Sequence, residues 1–238
     1  MSGWKSKRFW KVVEVTEGEG GYSVALDGRA VRTPAKAPLL LPTRGLAEAV
    51  AAEWDAQEDE VNPLSMPFTR SANAALDKVT TQHAEVAEML ADYGDSDLLC
   101  YRADHPAELV TRQAEAWDPL LDWAAEAFGA RLEPRAGIIH APQPPQALEP
   151  LRRRVHAADA FELTALHDLV SISGSLVIGL AAASDFLSPG ELWLRSRVDE
   201  TWQEEQWGTD EEAREEAEFK RSAFLHAHKL HMLTRNDA

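Results

Sequence analysis

The stretch Tyr22-Ser23-Val24-Ala25-Leu26-Asp27-Gly28-Arg29-Ala30-Val31-Arg32 decides how the chain is read. Tyr22, Val24 and Leu26 alternate with Ser23 and Ala25, a period of two that puts the larger apolar side chains on one face of a strand. Asp27-Gly28 stands between two such runs. Both residues tolerate positive φ, which a two-residue turn needs, so the spacing predicts a hairpin. Upstream, Phe9 to Val15 is rich in aromatic and β-branched residues and reads as a further strand. Gly18 to Gly21 makes a loose turn into Tyr22. Pro34 and Pro38 flank another short piece ending in Leu39-Leu40-Leu41. The start of the chain therefore reads as a small antiparallel sheet.

Beyond Thr43 the period changes. Leu46, Val50 and Trp54 recur every four residues in an Ala-rich stretch, with Thr43 placed to cap the helix they define. Asn62-Pro63 and Met66-Pro67 mark a connector. Ala72, Leu76, Val79, His83, Val86 and Leu90 then predict one long amphipathic helix. Trp117, Leu120, Leu121, Ala124 and Phe128 give another apolar face. Pro119 should kink or restart that helix, and Gly129 should end it. Ala141 to Pro145 reads as a stiff connector. Asp159 with Glu162, Ser188 with Glu191, and Thr209 with Glu212 have the spacing of capping boxes. Gly208 should stop the helix before the last of these. The expected class is α+β: an N-terminal β-rich domain over residues 1–70 and a larger, all-helical C-terminal domain over residues 71–238.

Composition bounds the function. Of 238 residues, 45% are hydrophobic and 27% charged, and 24 basic against 40 acidic residues give a formal charge of −16. Affinity for nucleic acid rests mainly on Lys and Arg at phosphates, so no nucleic-acid partner is expected. A single cysteine, Cys100, excludes an intrachain disulfide and zinc sites built on CxxC pairs, and suits a reducing compartment. The start, Met1 to Trp10, lacks the apolar stretch of a secretory signal. The longest apolar run, Leu169 to Ala183, is shorter than the ~20 residues of a bilayer span. It reads as a buried core helix, and no membrane insertion is expected.

Catalytic and ligand motifs are weak. Gly18-Glu19-Gly20-Gly21 has the wrong spacing for a dinucleotide loop and leads into a strand. Ser173-Gly174-Ser175 falls inside the expected apolar helix and lacks the nucleophile-elbow pattern; its serines should bond back to helix carbonyls. Cys100, between Leu99 and Tyr101, reads as a small buried residue. His226, His228 and His231 read as surface histidines of a terminal helix, since only His228 and His231 share a face. Asp92, Asp95 and Asp97 lack the calcium-loop spacing. No cofactor, metal or small-molecule substrate is expected.

The sharper pattern lies late in the chain. From Asp199 to Glu218 there are ten acids and one base, Arg214. On the helix after Pro189, Leu194, Val198 and Trp202 form one stripe, which should face the core. Trp193, Arg197, Glu200, Glu204 and Trp207 form another, roughly opposite. Tryptophan and arginine are enriched at interface hot spots, so the second stripe is the candidate partner-binding surface. The alternative is a helix sandwiched within its own domain. An acid–base hydrolase pairing Glu200 with Glu204 would need a concave pocket and displaced pKa values. A permanent structural subunit of a larger complex is a third reading.

Nine motifs in order carry a family resemblance. They are RFWKVVEV (Arg8–Val15), LDGRAVRTP (Leu26–Pro34), LPTRGLAEAVAAEWDAQ (Leu41–Gln57), MPFTR (Met66–Arg70), DLLCYR (Asp97–Arg102), WDPLLDW (Trp117–Trp123), LTAL (Leu163–Leu166), GSLVIGLA (Gly174–Ala181) and EEQWGTDEEA (Glu204–Ala213). From Arg8 to about Phe219 the chain resembles the assembly chaperones of the F-type ATP synthase that bind the alpha subunit of the catalytic head. The resemblance implies a chaperone without catalytic activity, which covers alpha surface until beta occupies it. It implies a small N-terminal β-containing domain followed by a helical one. It gives weight to Trp54 in Glu53-Trp54-Asp55, with Asp55 and with Arg70 of MPFTR. It also gives weight to the acidic position at Glu200, with Asp199 one residue away. Eukaryotic members carry a transit peptide, so a bacterial, cytoplasmic member is expected. Trp54 continues the Leu46–Val50 stripe and should act through packing, whereas Glu200 lies off the core stripe and should touch the client.

Overall fold

The computed structural model describes residues 7–235. The chain divides into two compact units. Among the described residues, the first comprises residues 7–83, Asp159–Ala165 and residues 229–235, and the second Ala84–Ala158 and Leu166–His228. The packing division therefore differs from a boundary at residue 70. The stretch from Ser71 to His83 and two distant segments belong with the N-terminal sheet, because its core needs apolar side chains that the first seventy residues do not supply.

In the first unit, β1 (Val13–Gly18), β2 (Gly21–Leu26) and β3 (Arg29–Ala30) form an antiparallel meander in that order. Val15 pairs with Val24 and Ala25 with Ala30. Asp27 and Gly28 have φ of 48° and 76°, as the two-residue turn requires. The Asp27 carboxylate accepts from Lys11 and Val12 backbone N–H, the latter at 2.9 Å. Those bonds lower its pKa, and they explain why the first strand starts at Val13 and not at Phe9. Leu41 exchanges both backbone bonds with Tyr22, at 2.9 and 2.7 Å. A Cβ on Gly21 would lie 2.4 Å from the Leu41 carbonyl oxygen, so only glycine fits there.

Helix α1 (Arg44–Asp55) starts on Thr43, whose Oγ1 accepts from Leu46 N–H at 3.1 Å. Its buried face, Leu46, Ala47 and Val50, closes over Val24, Leu26, Leu39 and Leu41. Phe161 and Leu230 complete this core from far along the chain. Helix α2 (Pro67–Ala74) is capped by Glu53, whose carboxylate accepts from Phe68 and Thr69 N–H at 2.6 and 2.8 Å.

The long helix expected from Ala72 to Leu90 does not form. A π-turn over Ala75–Val79 and a turn at Thr80–Gln82 separate α2 from α3 (His83–Ala91). Thr80 N–H and hydroxyl both reach the Ala75 carbonyl, and the Thr81 hydroxyl takes that of Lys78 at 2.8 Å. These hydroxyl bonds replace the helical ladder.

The second unit is mainly helical: α4 (Ala107–Phe128), α5 (Pro145–His156), α6 (Ala160–Ser173, shared with the first unit), α7 (Leu176–Ala183), α8 (Pro189–Ser196), α9 (Val198–Trp207) and most of α10 (Glu211–Thr234). It is not all-helical. Strands β4 (Tyr101–Arg102) and β5 (Arg135–Ala136) form a parallel ladder too short to leave a period in the sequence. Helix α4 runs unbroken through Pro119, which is exposed, so the missing N–H costs a solvent-side bond only. Gly129, at φ 73°, ends it.

The apolar run from Leu169 to Ala183 is two helices. Gly174 has φ 72°, and Ser175 caps α7 by accepting from Ile178 N–H at 3.0 Å. Ser173 does bond back, to the Leu169 carbonyl at 2.7 Å. All eight residues of α7 are buried. A Cβ on Gly179 would lie 2.5 Å from Val170 Cγ2, so α7 packs against α6 at a glycine contact. Asp97, fully buried, ties the start of α7 to the turn at Leu98–Cys100 by accepting from Val177 and Leu99 N–H, each at 3.0 Å.

The capping boxes at Asp159 and Ser188 are present. The third is not as expected: Asp210, not Thr209, accepts from Glu212 N–H, because α10 begins one residue later. His231, expected at the surface, is buried at 3% exposure, and His228 lies 3.1 Å from Asp185. No described helix is long and apolar enough to cross a membrane.

Candidate functional site

The late helix is interrupted. Arg197, at φ −115° and ψ 18°, separates α8 from α9, so side chains before and after it no longer share the phase of one helix. The two expected stripes dissolve accordingly. Leu194, expected in the core, is 67% exposed, whereas Trp193, expected at the surface, is 5% exposed and packs against Phe224 with ring centroids 6.0 Å apart and the planes tilted by 43°. Val198 remains buried. The bend is fixed from α4: Trp117 Nε1–H donates to the Arg195 carbonyl at 2.7 Å.

Counting from Asp199 gives the stripe that matters. Asp199, Trp202, Gln203, Gln206 and Trp207 fall at i, i+3, i+4, i+7 and i+8 and line one side of a groove of about 640 Å³. Pro106 at the N-cap of α4, Leu109 and Gln113 on its face, and Gly137 and Ile138 line the rest with the segment following β4. The lining is mostly apolar. Trp207 and Ile138 stand 79% and 91% exposed. Trp202, Gln203, Gln206, Leu109 and Ile138 are not among the residues expected from sequence, because a stripe continued through one unbroken helix places Trp202 in the core. The five-position pattern within α9 was the available signal.

Polar side chains hold the groove in shape. Gln113 accepts from Ala103 N–H at 2.8 Å and donates to Asp199 Oδ1 at 2.6 Å, so Asp199 is clamped to α4. Arg112 lies 5.1 Å from the Trp202 ring and 2.9 Å from Glu205. Its guanidinium holds the Glu205 carboxyl below the usual range. Arg197 sits over Trp193 at 5.8 Å and reaches Glu200 at 2.9 Å and Glu204 at 3.8 Å. Glu200 and Glu204 therefore share one cation. That is an ion-pair network on the outer side of α9, not an opposed acid–base pair.

The remaining expected residues lie in the first unit. Trp54 is half-buried and meets Trp10 edge-on at 5.3 Å. Asp55 is exposed and bonded at 3.3 Å by Arg8, whose guanidinium also donates to the Asp55 carbonyl at 2.7 Å. Arg70 is exposed on α2. Among the described residues no cluster of three His, Cys, Asp or Glu could hold a metal ion. Cys100 is buried, and burial pushes its thiol up to about 12.

Aromatic side chains beside fixed charges and side-chain amides are the composition found at protein-binding surfaces, and that composition fits the class of binding chaperones. Comparison with known proteins gives the family. The model of the ATP12 chaperone protein family matches residues 7–125, half of the chain. The crystal structure of Atp12 from Paracoccus denitrificans superimposes with a TM-score of 0.95 at 48% identity, covering 98% of this chain and all of that one. An aspartate-to-lysine variant of the Paracoccus protein matches equally well, at TM-score 0.95. The mitochondrial protein atp12 of Schizosaccharomyces pombe is 25% identical over 222 residues, covering 88% of this chain and 76% of that protein. The chain belongs to the ATP12 chaperone family, the family of ATP synthase assembly chaperones that its motifs resemble.

Proposed function

We propose that the chain binds unassembled alpha subunit of the F-type ATP synthase catalytic head, covers the surface that beta later occupies, and is displaced by beta. The observation that carries this reading is Trp207. A tryptophan 79% exposed, at the lip of a mostly apolar groove on an acidic helix, is what a protein-binding surface needs. Trp207 and Asp199 supply contact in the groove. Glu200 and Glu204, held by Arg197, supply the charged flank. Trp193 acts from the interior as the seat of the Arg197 guanidinium. Trp54, Asp55 and Arg70 belong to the first unit, where Trp54 serves packing. An orphan alpha subunit exposes an apolar surface, and a single-client chaperone can match its shape without a promiscuous groove. The setting we assign is the bacterial cytoplasm.

The test is co-elution on size-exclusion chromatography with purified alpha and beta subunits, separately, at low and moderate salt. The expected result is a complex with alpha alone that is lost when beta is added. No complex with alpha would overturn the proposal.

A further inference from the structure

Gln203 and Gln206 are the unusual members of the groove. Both are exposed, neither side chain makes a hydrogen bond to another described residue, and they stand three apart on α9. A side-chain amide offers one acceptor and two donors, the complement of a peptide group. Residues three apart on a helix have Cβ atoms about 5–6 Å apart. Peptide groups facing the same way along an extended chain repeat every ~6.7 Å, within reach of two such side chains. A helical ligand uses its backbone groups internally and offers nothing to them. Charge selects the flank. The arginine lining the groove, Arg102, is engaged by Asp118 at 2.7 Å, and the His105 ring lies 2.5 Å from Asp104. Asp199 and Asp104 leave the lining acidic on a chain of charge −16.

We infer that the groove takes an extended segment of the client polypeptide, with an apolar side chain between Trp202, Trp207 and Ile138, its main chain on Gln203 and Gln206, and a neighbouring Lys or Arg beside Asp199 and Asp104. This rests on the client reading above and specifies what is held: an unpaired strand or tail of the client, not a finished helical face. Recognition through main-chain groups tolerates sequence variation at every second residue, while the apolar and basic positions set specificity.

The probe is a set of overlapping dye-labelled 15-residue peptides covering the alpha subunit, read by fluorescence anisotropy with the full chain. Peptides that place Lys or Arg within two residues of a large apolar side chain should bind. Binding should fall at least tenfold when the same peptide is N-methylated at alternate amides. A similar loss is expected in the exposed-site variants Gln203→Ala with Gln206→Ala, and in Trp207→Ala. Folded alpha that co-elutes while no peptide binds, or peptides that bind equally when N-methylated, would overturn the groove assignment and leave the client reading standing. Peptides that bind while intact alpha does not co-elute would keep the groove's chemistry and remove the client. A dimer in sedimentation velocity that Trp207→Ala dissociates would give the groove to a second copy of the chain and overturn the inference.

Discussion

Glu200 sits half-exposed on α9 and has only the Arg197 guanidinium, 2.9 Å away, to lose. A pair this exposed contributes a few tenths of a kcal/mol. Glu200→Lys should therefore shift Tm by no more than about 2–4 °C, while retention of alpha on a column falls at least ~10-fold, because like charge now faces the client's basic groups. Calorimetry beside co-elution reads both, and a Tm drop beyond ~10 °C would make Glu200 structural. Asp97 behaves oppositely. Desolvation raises its pKa from 3.8 to about 6, despite bonds donated by Val177, Ser175 and Leu99. Between those values the folded state holds the extra proton, so this group's contribution falls as pH rises and is weakest above pH 6. Asp97→Asn removes that dependence. Relative to the parent, the variant should gain up to about 3 kcal/mol between pH 4 and pH 7. Urea unfolding across that range checks it, and a constant difference would show that Asp97 does not titrate there. Neither the burial of Asp97 nor the inward turn of Trp193 was legible in the sequence. Both are decided by tertiary contacts, the Val177 N–H of α7 on Asp97 and the Trp117 bond from α4 to the Arg195 carbonyl at the end of α8.

At the scale of elements, the contact between α6 and α7 is the least forgiving. An added methyl on Gly179 meets Val170 Cγ2 at 2.5 Å, with Leu166 Cδ1 and the Val170 backbone nitrogen each at 3.4 Å. Gly179→Ala should cost ~1–3 kcal/mol by forcing the helices apart, although alanine is the better helix former. Thermal unfolding measures it, and an unchanged or raised Tm would show that the packing yields. The hairpin at Asp27-Gly28 and the caps at Thr43, Asp159 and Ser188 were readable because each rests on side chains within a few residues. The breaks at Gly174, Arg197 and Thr80 were not. Apolar period continues across each of them, and period alone cannot distinguish a long helix from two short ones end to end. The groove stayed hidden for the same reason. Reading α8 and α9 as one helix carries the Leu194–Val198 stripe on to Trp202 and assigns Trp202 to the core, whereas α9 counted from Asp199 sets Trp202 at one edge of the groove-lining side and Trp207 at the other.

For the whole molecule, the charge of −16 governs how partners meet it more than how it folds. If the client presents basic groups to α9, association should slow ~10-fold or more between 50 and 500 mM salt, with the dissociation rate nearly constant, since the Debye length shrinks from above 10 Å to a few Å. Stopped-flow tryptophan fluorescence would follow both, and a salt-independent association rate would exclude charge steering. The two-part class was legible from hydrophobic period, and the family from ordered motifs. The membership of the first unit was not, because Phe161 and Leu230 enter its core from segments with no local signature of their own. That membership has a consequence for biosynthesis. The Thr43 hydroxyl donates to the Leu233 carbonyl, and Leu233 and Leu230 close over a sheet that left the ribosome long before them. The sheet therefore stays partly open until the end of the final helix has left the exit tunnel, so the first unit closes only after the whole second unit has been synthesised.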